Sequence, residues 1–192
     1  MNSAFRRYLP LSLTLLIIFL DRLTKQIVVN TMDLHESIPF IGETVKWTFI
    51  HNDGMVFGFD IIGGKVLGVI SLFAVLIVLI VLMRTDKEPV AFRWILAAVL
   101  GGAIGNTYDR ITLGYVVDFV DVDMPDFIMD RFAVFNVADS AISVGVVLLM
   151  ILILVYDKRM RQEVSLNEEM TSDEPSVKEE LIESEGVSEE KQ

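Results

Sequence analysis

Four apolar stretches of about 20 residues each constrain the fold of this chain more than any other feature. They cover roughly residues 8–29, 64–83, 90–113 and 132–156. A helix that crosses the hydrocarbon core of a bilayer needs about 20 such residues. Pro89 stands just before the third stretch, where a proline suits the first turn of a helix. The sequence therefore predicts an α-helical membrane protein with four transmembrane helices.

The first stretch could also be read as a secretory signal peptide. Arg6 and Arg7 precede an apolar run, as in the start of such a peptide. However, no small-residue cleavage site follows this run. The chain continues instead with Asp21, Arg22 and Lys25. We therefore interpret the first stretch as an uncleaved helix.

Basic residues near the ends of the predicted helices indicate their orientation. They form three groups: Arg6 and Arg7, then Arg84, Lys87 and Arg93, then Lys158, Arg159 and Arg161. In a four-helix arrangement all three groups fall on one side, which the positive-inside rule identifies as the cytoplasm. Both termini are then cytoplasmic, and the segments around residues 30–63 and 114–131 lie outside. This orientation predicts a multi-pass membrane protein with its polar residues near the outer face.

The charge of the chain is concentrated in its C-terminal part. Residues 163–192 hold eleven acidic and two basic residues, which is most of the net charge of −11. This composition is typical of disordered chain, and it predicts a membrane domain over 1–157 and an acidic cytoplasmic tail over 158–192. The chain has no basic patch of the kind that binds nucleic acid. The chain has no cysteine, which excludes disulfides, thiolate metal sites and cysteine nucleophiles.

Polar side chains from three of the predicted helices lie at one depth. They are Asp21, Lys25, Asn106, Asp109, Arg110, Asn136 and Asp139, all near the predicted outer helix ends. Ionisable residues within membrane helices are costly and mark candidate functional sites. Asp139 is expected about 10 Å along the fourth helix, just under the membrane surface. The polar residues therefore predict a site in the outer leaflet.

The two outer segments are expected to contribute short strands to this site. Residues 45–50 and 115–120 are rich in β-branched and aromatic residues. The second segment carries Asp118, which can then face Asp139. Two carboxylates in a partly dry cavity can share one proton and divide the acid and base roles of an aspartic peptidase. Composition alone does not show whether Asp118 or a neighbouring acidic residue, such as Asp121 or Asp123, is the catalytic one.

Five sequence blocks resemble the lipoprotein signal peptidase (signal peptidase II) family. The blocks are residues 21–25 (DRLTK), 52–58 (NDGMVFG), 101–110 (GGAIGNTYDR), 114–119 (GYVVDF) and 135–140 (FNVADS). Their order and spacing match over residues 8–157. Met55 and Val56 depart from the family, which often has alanines there, and this bears on the shape of the substrate groove.

The resemblance implies an aspartyl endopeptidase that removes signal peptides from diacylglyceryl-modified prolipoproteins, just before the lipidated cysteine. It implies Asp118 and Asp139 as the catalytic pair. The supporting and substrate-binding positions that it implies are Asn52, Gly54, Asn106, Arg110, Asn136, Ala138, Asp21 and Lys25. We read Asp21 with Lys25 as a structural ion pair or surface anchor. No cofactor or metal is expected. The expected partners are the prolipoprotein substrates and membrane lipids, and the protein is expected to be a monomer.

Three other functions remain as alternatives. An ion or proton transporter also carries carboxylates in the membrane, but here the polar residues stop halfway and no inverted repeat is evident. A purely structural membrane protein would not need such a polar cluster. The aspartyl peptidases of the presenilin type carry a Gly-x-Gly-Asp sequence, which is not present in this chain.

Overall fold

The structure, a computed structural model, describes residues 7–42, 44–54, 63–85, 88–123 and 133–172. Within these ranges the chain forms long helices and short strands. The helices are α1 (Leu11–Thr31), α2 (Gly64–Arg84), α3 (Val90–Thr112) and α4 (Val137–Ser172). The strands are β1 (Ser37–Ile41), β2 (Val45–Asn52) and β3 (Val116–Val122). The predicted order of helices, with strands in the two segments that join α1 to α2 and α3 to α4, is confirmed.

Three helices of the described chain are long and apolar enough to cross a membrane. They are α2, α3 and the part Val137–Leu166 of α4. Helix α1 is as long as α2, with 21 residues, but it includes Asp21, Arg22 and Lys25. Every stretch of 18 residues within α1 contains all three of these charges, so its length and composition alone do not identify it as a membrane helix.

Small residues let α1 and α3 pack closely, as the stripe of Ala97, Gly101 and Gly105 predicts. A Cβ atom added at Gly101 would lie 2.9 Å from the Cβ of Ile17 in α1. The Thr14 hydroxyl of α1 donates a hydrogen bond of 2.8 Å to the Ala97 carbonyl. The approach of two helices through small residues and a buried hydroxyl is typical of membrane helix pairs.

Helix α4 begins against a different side of α3. The backbone of Ala138 and the side chain of Ile142 lie against Gly102, and the side chain of Val99 lies against Gly145. Larger residues at either glycine would collide with the facing helix. The first turns of α4 are therefore held close to the C-terminal half of α3, where Asn106 and Asp109 lie.

The strands form an antiparallel sheet in the order β1-β2-β3. Strands β2 and β3 were predicted and are each slightly longer than expected, whereas β1 was not predicted. All five residues of β1 are exposed, so its sequence lacks the alternation of a half-buried strand. Pro39 lies within β1, which is tolerated because β1 is an edge strand.

One face of the sheet packs on the end of α1. Phe49, Val117 and Phe119 form a buried cluster with Val28 of α1 and with Met32, the residue that follows α1. Successive residues of a strand point to opposite faces. The residue between Val117 and Phe119 is Asp118, so its side chain points away from this apolar cluster.

Helix α4 begins later than the sequence predicted. The predicted start was near residue 132, but the helix begins at Val137, and residues 133–136 are not helical. Phe135 exchanges hydrogen bonds with Val120 of β3, at 2.7 and 3.0 Å. Asp139 therefore lies in the first turn of α4, and the prediction that it lies about 10 Å along the helix was wrong.

The described chain falls into two compact units that divide between Leu149 and Met150, within α4. The helix passes the domain boundary expected at residue 157 and continues to Ser172. Arg161 and Asp157 form an exposed ion pair of 2.8 Å in this part. Residues 173–192 lie outside the described residues, and for them the disordered tail stays a prediction.

Candidate active site

Asp118 of β3 is held by two amides. Its side chain is fully buried. The Asn52 side-chain amide donates to Oδ2 over 2.9 Å, and the Asn136 amide donates to Oδ1 over 2.6 Å. Each carboxylate oxygen thus has one donor, from β2 on one side and from the start of α4 on the other. These contacts fix the orientation of a carboxyl group that water does not reach.

A turn after β2 sets the orientation of Asn52. The Asn52 side-chain oxygen accepts a hydrogen bond of 2.9 Å from the backbone N–H of Gly54. Gly54 has a φ of 77°, a left-handed conformation that favours glycine. With its oxygen engaged in the turn, Asn52 must present its amide nitrogen to Asp118.

Asp139 is oriented by the cap of α4. The Asn136 side-chain oxygen accepts from the backbone N–H of Asp139 over 2.9 Å, and Asp139 Oδ2 accepts from the backbone N–H of Asn136 over 3.2 Å. This reciprocal pair of bonds is a capping box, with aspartate in the place of the usual glutamate. The same residue, Asn136, therefore positions Asp139 through its oxygen and Asp118 through its nitrogen.

Asn106 of α3 completes the link between the two aspartates. Its side-chain nitrogen donates to Asp139 Oδ1 over 2.7 Å, and its oxygen accepts from the Asn136 amide over 3.1 Å. The structure thus brings together Asp118, Asp139, Asn52, Asn106 and Asn136 in one connected network. The sequence predicted all five as site residues.

Asp21 and Lys25 of α1 lie beneath this network as a buried ion pair. The Lys25 Nζ is 2.9 Å from Asp21 Oδ2, and both side chains are almost fully buried. Asp21 Oδ1 also accepts from the backbone N–H of Ala138 over 3.1 Å. The two groups form an ion pair as expected, and their burial does not fit a surface anchor. That the pair is structural stays a prediction.

Asp109 and Arg22 belong to the same charge cluster, in which Asp109 is buried and the Arg22 side chain is 35% exposed. The sequence placed Asp109 among the polar residues at this depth but predicted no role in the site for Asp109 or Arg22. Asp109 Oδ2 lies 2.8 Å from Lys25 Nζ, and its Oδ1 pairs with the Arg22 guanidinium. The available signal was the spacing of three residues between Asn106 and Asp109, which places them on one helix face.

Arg110 is not joined to the amide network. It is half-buried, and its Nε is buried without a hydrogen-bond partner among the residues that the structure describes. Its Cβ lies against Gly68 of α2, where an added Cβ would be 3.0 Å away. Met55 and Val56, the departures from the family pattern, lie outside the described residues.

The surroundings of Asp118 change its acidity. Burial raises the pKa of this carboxyl from 3.8 to about 6, and the charge of Asp139 acts in the same direction. Hydrogen bonds from Asn52 and Asn136 and the charge of Lys25 lower this pKa, but they do not offset the burial. Near neutral pH, Asp118 is therefore suited to hold and donate a proton.

The described residues contain no group of three or more His, Cys, Asp or Glu side chains placed to hold a metal ion. That the reaction needs no metal stays a prediction from the sequence.

Comparisons with known proteins match this arrangement to one family. A family model described as signal peptidase (SPase) II matches residues 13–155. The lipoprotein signal peptidase of Acinetobacter baumannii (strain SDF) is 41% identical over 145 residues, which is 73% of this chain and 80% of that protein. That of Listeria monocytogenes serotype 4a (strain HCC23) is 38% identical over 151 residues, 78% of this chain and 95% of that protein.

Solved structures show the same fold. Two bacterial membrane enzymes, with TM-scores of 0.67 and 0.68, are 27% and 25% identical in sequence to this chain. Each similarity covers 76% of this chain, and 87% and 92% of the respective solved chains.

The fold, the apolar helices and these neighbours define a multi-pass membrane enzyme. More specifically, the chain belongs to the signal peptidase II family of aspartic peptidases. The transporter alternative is not favoured by this membership.

Proposed function

We propose that Asp118 and Asp139 are the catalytic pair of this lipoprotein signal peptidase, which removes signal peptides from lipoprotein precursors in their maturation. The observation that carries the assignment is the network in which Asn136 donates hydrogen bonds to both carboxylates, from its side-chain amide to Asp118 and from its backbone N–H to Asp139. Four contacts from amide nitrogens or backbone N–H groups hold the pair in one orientation: those of Asn52 and Asn136 on Asp118, and those of Asn106 and Asn136 on Asp139.

The two carboxylates then divide the proton transfers of peptide hydrolysis. Asp139 accepts a proton from a water molecule as that water attacks the scissile carbonyl carbon, and Asp118 donates its proton to the carbonyl oxygen. When the tetrahedral intermediate collapses, Asp139 passes its proton to the leaving nitrogen. Asp118 regains a proton from the hydroxyl group as the carbonyl re-forms, so the pair ends with one shared proton.

The remaining site residues support this pair in different ways. Asn52, held by the turn at Gly54, and Asn106 position the two carboxylates. The contact of Asp21 with the backbone of Ala138 fixes the start of α4 against α1. We assign a substrate-binding role to Arg110, because its buried Nε has no hydrogen-bond partner in the described part of the chain.

The pH dependence of cleavage tests the role of Asp118. If the free enzyme needs a proton on Asp118, kcat/KM should fall as the pH rises through about 6. Asn52 donates a hydrogen bond that lowers the pKa of Asp118. Asn52→Ala should therefore raise this pKa and move the alkaline limb of kcat/KM to higher pH.

A matched control for this experiment is Asn30→Ala. Asn30 is an exposed asparagine whose side chain contacts Gln26 rather than either aspartate. Asn30→Ala should leave the alkaline limb of kcat/KM at the same pH as in wild type. An alkaline limb that stays in place or moves to lower pH in Asn52→Ala would contradict the assignment of the proton to Asp118.

We further propose four membrane-crossing helices, with both termini in the cytoplasm and the sheet and active site near the outer face of the bacterial inner membrane. The distribution of basic residues supports this orientation. The charges of α1 do not exclude it from the membrane, because Asp21 and Lys25 face Asp109 and Asn106 of α3 rather than the surroundings. A monomer with a C-terminal tail after residue 157 belongs to the same proposal.

Cysteine labelling tests the orientation directly, because the chain has no cysteine of its own. Thr44→Cys, in the exposed loop between β1 and β2, should react with a membrane-impermeant maleimide in intact cells. Ser165→Cys, exposed on α4, should react only after lysis. Labelling of both positions from the same side would contradict the arrangement with four membrane-crossing helices.

A further inference from the structure

Lys25 is a buried lysine whose ammonium group lies close to three side-chain oxygens. Its side chain is only 2% exposed. The Nζ lies 2.9 Å from Asp21 Oδ2, 2.8 Å from Asp109 Oδ2 and 3.0 Å from Asn106 Oδ1. The two carboxylates would suffice to compensate the buried positive charge. The third contact, to a neutral amide, therefore calls for a separate explanation.

The orientation of the Asn106 amide matters for the proposed chemistry. The oxygen and nitrogen ends of an asparagine side chain have nearly the same shape, so packing alone does not distinguish them. Only the nitrogen end can donate to Asp139, as it does over 2.7 Å. A reversed amide would place an oxygen against the Asp139 carboxylate, which would repel it.

Lys25 selects the productive orientation because an ammonium group can only donate hydrogen bonds. It requires an oxygen on its side of Asn106, and the Asn136 amide also donates to this oxygen over 3.1 Å. With its oxygen held by both donors, Asn106 must turn its NH₂ group toward Asp139. The lysine thus acts on the catalytic carboxylate through one intervening side chain.

We propose that Lys25 is a positioning residue that orients the Asn106 amide, and through it Asp139, in addition to balancing buried charge. This role rests on the proposed function of Asp139. It predicts that Lys25 affects turnover even when the charge that it compensates is removed. A residue that only balanced charge would become dispensable under the same condition.

Charge-balanced double variants separate the two roles. The cluster contains two carboxylates, Asp21 and Asp109, and two cations, Lys25 and Arg22. Lys25→Met alone leaves one carboxylate uncompensated and should lower the thermal stability of the protein in detergent. Adding Asp21→Asn restores the balance, and the asparagine oxygen can still accept from the Ala138 N–H. Lys25→Met with Asp109→Asn keeps the net charge of the cluster unchanged, but it leaves Asp21 without its cation and should be less stable than the first pair.

In the first double variant we expect near wild-type thermal stability, and in both we expect a kcat for a lipid-modified precursor about a hundredfold below wild type. KM should change by less than about threefold, because Lys25 is enclosed and does not touch the substrate; a shift of that size corresponds to less than about 0.7 kcal/mol. Arg22→Met is the matched control. It removes the other cation from Asp109 but leaves Asn106 in place, so its kcat should stay close to wild type.

Wild-type kcat in either stable double variant would overturn the proposal, since charge balance would then be the whole role of Lys25. An equal loss of kcat in Arg22→Met would overturn it as well. Two double variants that both fail to fold would show that the lysine is needed for packing, which also contradicts the proposal. Failure of the proposed function is a separate outcome, because it would appear as activity retained in the variants of Asp118 or Asp139.

Discussion

Replacing either Asp118 or Asp139 with asparagine is expected to lower kcat for a lipid-modified precursor by about 10⁴-fold. Asparagine has nearly the same size as aspartate. Its uncharged amide, however, cannot accept a proton from water or donate one to a carbonyl oxygen as a carboxyl group does. The double variant should be no slower than either single variant, because two groups that act as one unit are strongly non-additive. Single-turnover cleavage of a purified lipidated precursor in detergent measures this effect.

The asparagine variants should remain folded, and the pKa of Asp118 gives the sign of the effect on stability. Its pKa is raised from 3.8 to about 6, so the folded state binds the proton more tightly than the unfolded state does. Protonated Asp118 thus stabilises the folded state relative to ionised Asp118. This contribution to the free energy of unfolding is fully present below pH 3.8 and is lost as the pH rises to about 6. Ionised Asp118 therefore costs up to roughly 3 kcal/mol at pH 7. Asp118→Asn removes this cost, but its NH₂ group then faces one of the two amide donors, so its stability at that pH should stay close to that of wild type.

Asp121→Asn is the matched control for the catalytic pair. Asp121 is another buried carboxylate of β3, and it accepts a hydrogen bond of 2.8 Å from Thr48 rather than from the site asparagines. This variant should cleave the precursor at close to the wild-type rate. If Asp121→Asn is inactive while Asp118→Asn cleaves normally, the choice of partner for Asp139 is wrong, although the peptidase assignment would stand.

The parts of the fold that the sequence predicted are those with a strong local pattern. Helices α2 and α3 are long apolar runs, and most of β2 and β3 lies in β-branched and aromatic segments. Strand β1 was missed because all its residues are exposed and it contains Pro39. Its existence depends on pairing with β2, which is a tertiary contact and not a property of its own sequence.

The start of α4 shows why a helix boundary is harder to predict than a helix. Hydropathy extends the apolar run back beyond Phe135, but Phe135 pairs with β3 and Asn136 caps the helix. The sequence contains the asparagine and aspartate of a capping box, which would have indicated the observed start at Val137. Hydropathy does not distinguish a residue that pairs with a strand from one inside a helix.

The candidate site was predicted more completely than the buried charges around it. Asn52, Asn106 and Asn136 were identified from the family pattern, and all three contact a catalytic candidate. Asp109 was not assigned, because the sequence does not show whether a carboxylate at a helix end faces water or another helix. Only the packing of α1 on α3 reveals that Lys25 compensates its charge.

A precursor without its diacylglyceryl group is expected to be cleaved with a kcat/KM about a thousandfold lower than the lipidated form. The apolar side chains on α2 that the protein leaves exposed, such as Val66, Ile70 and Phe73, are suited to contact acyl chains in the membrane. Burying a methylene contributes about 0.8 kcal/mol, so five of them contribute about 4 kcal/mol, or roughly a thousandfold in affinity.

The same precursor sequence should be assayed with and without the lipid, in one detergent and with the same enzyme preparation. An inactive Asp139→Asn enzyme provides the control for binding, and it should retain the lipidated form more tightly than the unmodified one. Equal kcat/KM values for the two forms would refute a role for the lipid in recognition.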